Sequence, residues 1–303
     1  INNKQYKLLV SSFLICSYPV QLVLERGNFD SLILSFMLLI PFCINSSVNN
    51  KFAKNFLGIF ISYLIINLKI FPAPGLILWS FYKIRFSKLR EVLVKNIFYL
   101  FVIIISTIIA FNTNSISLIF KNTPKPVGSS SFGFLTLYQN YNNFFNNNNL
   151  IIYFFIFIKI TLLLIYAYRS FKILRKNKLN LFHQFDIFEN YFILFSLQTL
   201  TIYFLSRSYD YRLIIIIGLL PILCNYWNYI SSLKDIQFIE YFHLLLIFVF
   251  YQEYLPHAFN IYLYSSIISD IIIQPILIGF LIGITFQHIE NKSKSKLINK
   301  NLI

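Results

Sequence analysis

The sequence predicts an all-α, polytopic transmembrane helix bundle, and three observations carry that prediction. Only 12% of the 303 residues are charged, 57% are hydrophobic, and the mean hydropathy is +0.66; a soluble domain carries about 25% charged residues. Apolar runs recur along the chain, and a run of about 20 residues is what a bilayer crossing requires. Lysine and arginine gather in alternate connections between those runs, the pattern that orients a membrane protein.

About ten runs qualify as spans on length and apolar content: 5–23, 31–46, 53–69, 73–84, 94–112, 149–168, 189–206, 212–231, 236–252 and 260–287. The fourth is short enough for a half-span. The last is interrupted by Asp270, Gln274 and Pro275. Together they make one transmembrane domain over 1–290, followed by a basic tail at 291–303, with no internal repeat. Cys16, Cys43 and Cys224 each sit inside an apolar run. None has CxxC spacing, so they read as small core residues and not as zinc ligands or a redox pair. The chain starts at Ile1 and lacks the basic, apolar and small-residue sequence of a signal peptide. A fragment or a processed form is therefore expected.

The basic residues set the orientation. Lys83, Arg85, Lys88, Arg90 and Lys95 fall in one connection, and Arg169, Lys172, Arg175, Lys176 and Lys178 in a second. Lys292, Lys294, Lys296 and Lys300 are in the tail, with Lys51, Lys54 and Lys234 in two further connections. The parity of the spans puts all five groups on one side, which the positive-inside rule makes cytoplasmic. The net charge of +15 is then topological, and no nucleic-acid partner is expected. Membrane lipids are the expected surroundings, and the C-terminus is expected in the cytoplasm.

The same parity sends the unusual polar clusters to the opposite side. These are Glu25, Arg26, Gly27, Asn28, Phe29 and Asp30; Lys69 with Phe71, Pro72 and Pro74; the polar loop 113–148; Arg207, Tyr209, Asp210, Tyr211 and Arg212; and Glu253 with His257. Charge at the edge of a hydrocarbon layer is a functional candidate. Arg26 offers a planar cationic fork suited to phosphate, or it pairs locally while Asn28 or Asp30 caps the next helix. Lys69 reaches toward a lipid-linked phosphate, or it snorkels to the headgroups. Arg207, Asp210 and Arg212 bind substrate, or they close a salt-bridged turn. Glu253 and His257 are four apart, but Pro256 opposes a regular helix there. Asp270 and Gln274, also four apart, line a pathway or hydrogen-bond within the bundle. His183, His243 and His288 stand alone in the sequence, without HExxH, so no metal site is indicated. No Gly-rich phosphate loop is present, and no cofactor is expected.

Read as an ordered set, four of these landmarks resemble the C-terminal part of glycosyltransferase family 87, polyprenyl-phosphate-dependent mannosyltransferase-like membrane proteins of the GT-C superfamily. They are Leu24-Glu25-Arg26-Gly27-Asn28-Phe29-Asp30 before an apolar helix, Leu68-Lys69-Ile70-Phe71-Pro72, Ser131-Phe132-Gly133 after a Pro-containing loop, and Tyr209-Asp210-Tyr211-Arg212-Leu213-Ile214 ahead of Pro221. The resemblance covers about two-thirds of the chain, by the order and spacing of short motifs of the kind that count only as hypotheses. It implies a GT-C-like bundle in a bacterial inner (plasma) membrane. It implies transfer of a mannose-like hexose from a polyprenyl-phosphate donor to a glycolipid or glycan on the extracytoplasmic face. Arg26, Lys69 and Arg212 would face the donor phosphate, and Asn28, Asp30 and Asp210 the sugar hydroxyls, with Arg207 a further substrate-binding residue. The family's acidic base lies on a first outer loop for which this sequence offers no counterpart.

Two other classes fit the composition. A non-catalytic subunit of a respiratory or ATP-synthase complex would bury charge mid-span on several helices; the acidic residues inside or near spans are mainly Asp270 and Glu240. A flippase or polymerase of lipid-linked glycans would share an outer anion-binding face and show inverted repeats with broken helices.

Overall fold

The computed structural model describes residues 30–45, 51–86, 90–112, 131–134, 149–176, 186–205, 208–209, 215, 218–219 and 268–300. Its helices are α1 (Asp30–Asn45), α2 (Lys51–Leu68), α3 (Pro72–Phe86), α4 (Arg90–Asn112), α5 (Asn149–Lys176), α6 (Asp186–Leu205) and α7 (Gln274–Lys300). A π turn, Ser269–Ile273, runs directly into α7. Two short strands, β1 (Ser131–Phe132) and β2 (Ser208–Tyr209), pair antiparallel, Ser131 opposite Tyr209 and Phe132 opposite Ser208. The fold is otherwise all-helical. The runs expected at 5–23 and 236–252 fall outside the described residues, as does all of 212–231 except Ile215, Gly218 and Leu219.

Three helical stretches are long and apolar enough to cross a membrane: Val92–Asn112, Asn149–Arg175 and Ser269–Lys294. Two shorter apolar helices, Asp30–Ile44 and Asn55–Leu68, accompany them. The surface of α4 points to the same solvent. Val94, Phe98, Phe101, Ile105, Ile108 and Phe111 form an exposed apolar stripe at helical spacing. Asn96, Tyr99, Ile103, Ser106 and Ala110 form the buried one. Water would penalise that exposed stripe, while hydrocarbon accepts it. The helix thus turns its polar residues inward, where hydroxyls satisfy each other: Tyr99 Oη lies 2.6 Å from Ser62 Oγ on α2.

Helix starts follow local chemistry. Pro72 opens α3, where its missing N–H costs nothing and its fixed φ suits the first turn. Pro74 is tolerated for the same reason, since the first four N–H groups have no intrahelical acceptor. In α7 the helix continues to Lys300, through the stretch expected as a basic tail. Lysine is a good helix former, and Lys294 pairs with Glu290 one turn earlier at 2.6 Å.

Packing between helices relies on small residues, as association in lipid requires. α5 and α7 make the most extensive contact, and they run parallel. Gly279 and Gly283 of α7 form a G-x-x-x-G stripe. A Cβ at Gly279 would lie 2.6 Å from the Leu163 carbonyl oxygen, and one at Gly283 would collide with Ser170 and the Ala167 carbonyl. On the other side of the bundle, α3 packs on α6 at Gly75, where a Cβ would strike Gln198. The core lies between α1, α3, α6 and α7 and includes Ile33, Met37, Trp79, Phe192, Phe195, Tyr203, Ile278 and Phe280.

Candidate functional site

Successive helices run in alternating directions, so the bundle has two ends. The first collects the start of α1, the connection from α2 to α3, the loop 131–134 and the end of α6. The second collects the end of α3, the start of α6 and the lower half of α7.

At the first end, Lys69 Nζ donates to Asp30 Oδ1 at 2.9 Å. Lys69 follows directly on the last residue of α2, and its N–H bonds the Ile65 carbonyl at 3.0 Å, extending the helical bonding by one residue. Asp30 is the first residue of α1, where a carboxylate complements the positive helix end. Asp30 is 1% exposed, and its side chain in the pair is far more enclosed than that of Lys69, at 1% against 25%. The lysine thus stays part-exposed while neutralising a buried carboxylate. Its neighbour Phe71 offers its carbonyl to Gln198 Nε2 at 2.9 Å, and Gly75 provides the room for that amide. Asp30 Oδ2 and Gln198 Oε1 are both buried without a hydrogen-bond partner among the described residues. Buried acceptors of this kind call for an explanation, since most are satisfied. Here two of them accompany an accessible ammonium at one end of the bundle.

Close to that end, Lys159 of α5 is fully buried. Its Nζ donates to the Gly133 carbonyl at 2.9 Å and the Phe134 carbonyl at 3.2 Å. Asp270 lies within electrostatic reach of it and accepts from Gln274 Nε2 at 2.8 Å. The Asp270–Gln274 spacing therefore ends in a hydrogen bond inside the bundle, one of the two roles its sequence allowed.

At the second end, Glu189 Oε1 receives Tyr82 Oη and Lys292 Nζ and lies 3.1 Å from His288 Nε2. Tyr82 Oη is also 3.2 Å from that nitrogen. Lys292 covers the Tyr82 and Phe86 rings at 5.3 and 5.6 Å. Three helices meet on this one carboxylate.

Of the residues singled out by sequence, the structure brings Asp30 and Lys69 together. It also sets the Ser131-Phe132 landmark against Tyr209. Arg26, Asn28, Arg207, Asp210 and Arg212 lie outside the described residues, as do Glu253 and His257. Sequence reasoning missed Gln198, Lys159 and Glu189, and it treated His288 as isolated. The signal for the first two was available: a lone amide or ammonium within an apolar helix. The partners of Glu189 were not visible, since His288 and Tyr82 stand 99 and 107 residues away. Comparison with protein-family models, with curated proteins and with solved structures finds no match.

Proposed function

We propose that this protein is a membrane glycosyltransferase that moves a mannose-like hexose from a polyprenyl-phosphate donor to a glycolipid or glycan acceptor, working at the extracytoplasmic face of a bacterial inner membrane. The observation that carries this reading is the first end of the bundle. There a part-exposed Lys69 accompanies two buried acceptor oxygens, Asp30 Oδ2 and Gln198 Oε1, that have no hydrogen-bond partner among the described residues. An ammonium suits a phosphate, and orphan acceptors suit the hydroxyl donors of a sugar. A lipid-linked sugar phosphate presents both groups at the level of the headgroups.

The chemistry follows from those groups. Transfer breaks the bond from the sugar's anomeric carbon to the phosphate oxygen and forms one to the acceptor hydroxyl oxygen, whose proton passes to the departing phosphate. The transition state resembles an oxocarbenium ion, and the departing phosphate gains negative charge. A fixed cation beside that phosphate stabilises the transition state more than the ground state. Lys69 has that role in this reading, with Arg26, Arg207 and Arg212 as further phosphate contacts. Asp30, Asn28, Asp210 and Gln198 contact sugar hydroxyls.

The test is transfer of radiolabelled mannose from polyprenyl-phosphate mannose by full-length protein in proteoliposomes. Lys69→Ala and Arg212→Ala are each expected to lower transfer at least about tenfold, since each removes a charge-assisted contact. Unchanged transfer would remove both from the site, and no transfer by the wild type with this donor class would remove the reading.

One observation favours a subunit of a proton-translocating complex: Lys159, Asp270 and Gln274 form a buried polar group within apolar helices. A proton path needs groups that exchange protons along the membrane normal. Lys159 is instead held by two backbone carbonyls, which accept and do not relay. A proton-flux measurement in the same vesicles separates the two readings.

A further inference from the structure

An ammonium in the middle of an apolar helix is costly unless it is fully partnered. Lys159 stands between Ile158 and Ile160 on α5, with no exposed side chain. Its donors are used on the backbone of a loop more than twenty residues earlier in the chain, at Gly133 and Phe134. The Phe134 and Tyr203 rings flank it, with centroids 5.6 and 5.4 Å from Nζ, a range in which ring and cation attract. Gly133 has φ of 152°, a conformation that glycine adopts and side-chain-bearing residues resist. That backbone turns two consecutive carbonyls toward one ammonium.

The loop is anchored on its other side as well. Phe134 N–H donates to the Tyr203 carbonyl at 2.7 Å, at the last turn of α6. Ser131 and Phe132 pair with Tyr209 and Ser208 just beyond it. The π turn that holds Asp270 faces the same lysine from α7. Such turns are rare and frequently mark functional positions.

We propose that Lys159 is a positioning residue. Its ammonium pins the 133–134 backbone to α5, and through the β1–β2 pairing it sets where the strand Ser208–Tyr209 lies. Asp210 and Arg212, candidate substrate residues, follow that strand directly in sequence. The strand placement stands by itself; its consequence for catalysis rests on the transferase reading.

The experiment uses the full-length chain in native membranes, with Cys16, Cys43 and Cys224 changed to alanine and cysteines introduced at Ser131 and Tyr209. Copper–phenanthroline oxidation then reads the β1–β2 pairing as a disulfide-forming rate. Lys159→Met is expected to slow cross-linking about tenfold or more, as loss of a charge-assisted bond would. Lys159→Arg, which keeps a buried cation, is expected to restore most of the rate. Should Lys159→Met fail to accumulate as folded protein, Gly133→Ala carries the test. It leaves the lysine and both helices intact and is expected to slow cross-linking too. An unchanged rate in either variant overturns the proposal. In the mannose-transfer assay without the introduced cysteines, the same variants are expected to raise KM for the lipid donor more than they lower kcat. Slowed cross-linking in a protein whose wild type transfers no sugar would keep the positioning role and sink the transferase reading.

Discussion

The two ends of the bundle each bury a carboxylate beside a lysine, and they treat it differently. At one end, Glu189 gathers a tyrosine, a lysine and a histidine from two other helices. At the other, Asp30 receives Lys69 on one oxygen, and its second is buried without a partner among the described residues. A carboxylate surrounded by donors has little left to offer a ligand, so Glu189 acts as a fastener for α3, α6 and α7. An under-satisfied carboxylate has a standing desolvation cost that a hydroxyl-bearing ligand would relieve. On that ground the Asp30 end is the one proposed to bind the sugar lipid.

That contrast can be broken or sharpened by substitution. The largest effect is expected from Glu189→Ala, which strands Lys292 and the buried Tyr82 and His288. Removing one partner of a buried ionic cluster costs about 3–5 kcal/mol, read as a lowered melting midpoint in detergent. If this variant melted normally but lost sugar-lipid binding, the roles of the two ends would be reversed. Next, Gly283→Leu puts a side chain where even a Cβ collides with Ser170 and Ala167. Overpacking of that kind costs about 1–3 kcal/mol, and cross-linking between α5 and α7 would report their separation. Because neither end of the bundle is touched, this loss calibrates damage that comes from packing alone.

A smaller loss of stability, about 1–2 kcal/mol, is expected from Lys69→Met, since it leaves Asp30 buried and unneutralised. Adding Asp30→Asn is expected to recover most of that stability. Binding of polyprenyl-phosphate mannose, measured by competition in the vesicles, is expected to stay weakened about tenfold in the double variant. Recovery of binding along with stability would make the pair a purely structural clasp, like Glu189. The smallest effect is expected from Lys294→Ala. Its pair with Glu290 is one turn apart and more than half exposed on the lysine side, and exposed pairs of this spacing contribute about 0.3–0.5 kcal/mol. A melting shift as large as that of Lys69→Met would show that exposure does not distinguish these pairs.

The helices were readable in advance because hydrocarbon leaves the backbone few choices. The runs at 31–46, 53–69, 94–112 and 149–168 correspond to α1, α2, α4 and α5 within a few residues at their starts. α5 extends to Lys176, beyond the apolar run, since a basic segment is a good helix former where water is available. The candidate site was legible only in part. Asp30 and Lys69 stood out because each is a charge at the end of an apolar run. Gln198 did not, since one amide in a hydrophobic stretch carries no sign of which backbone it serves. The α5–α7 interface had a visible signature in Gly279 and Gly283, four residues apart, but that motif does not name its partner helix.

By itself, then, the amino-acid order determined that the chain is helical, apolar and polarised in charge, because segment length, hydropathy and lysine distribution are local quantities. Only the tertiary structure decided which charges meet. Asp30 and Lys69 are 39 residues apart, and Glu189 and His288 are 99 apart. Contacts over such separations depend on where small residues let helices approach, and on which backbone carbonyls that approach leaves within reach of a buried cation.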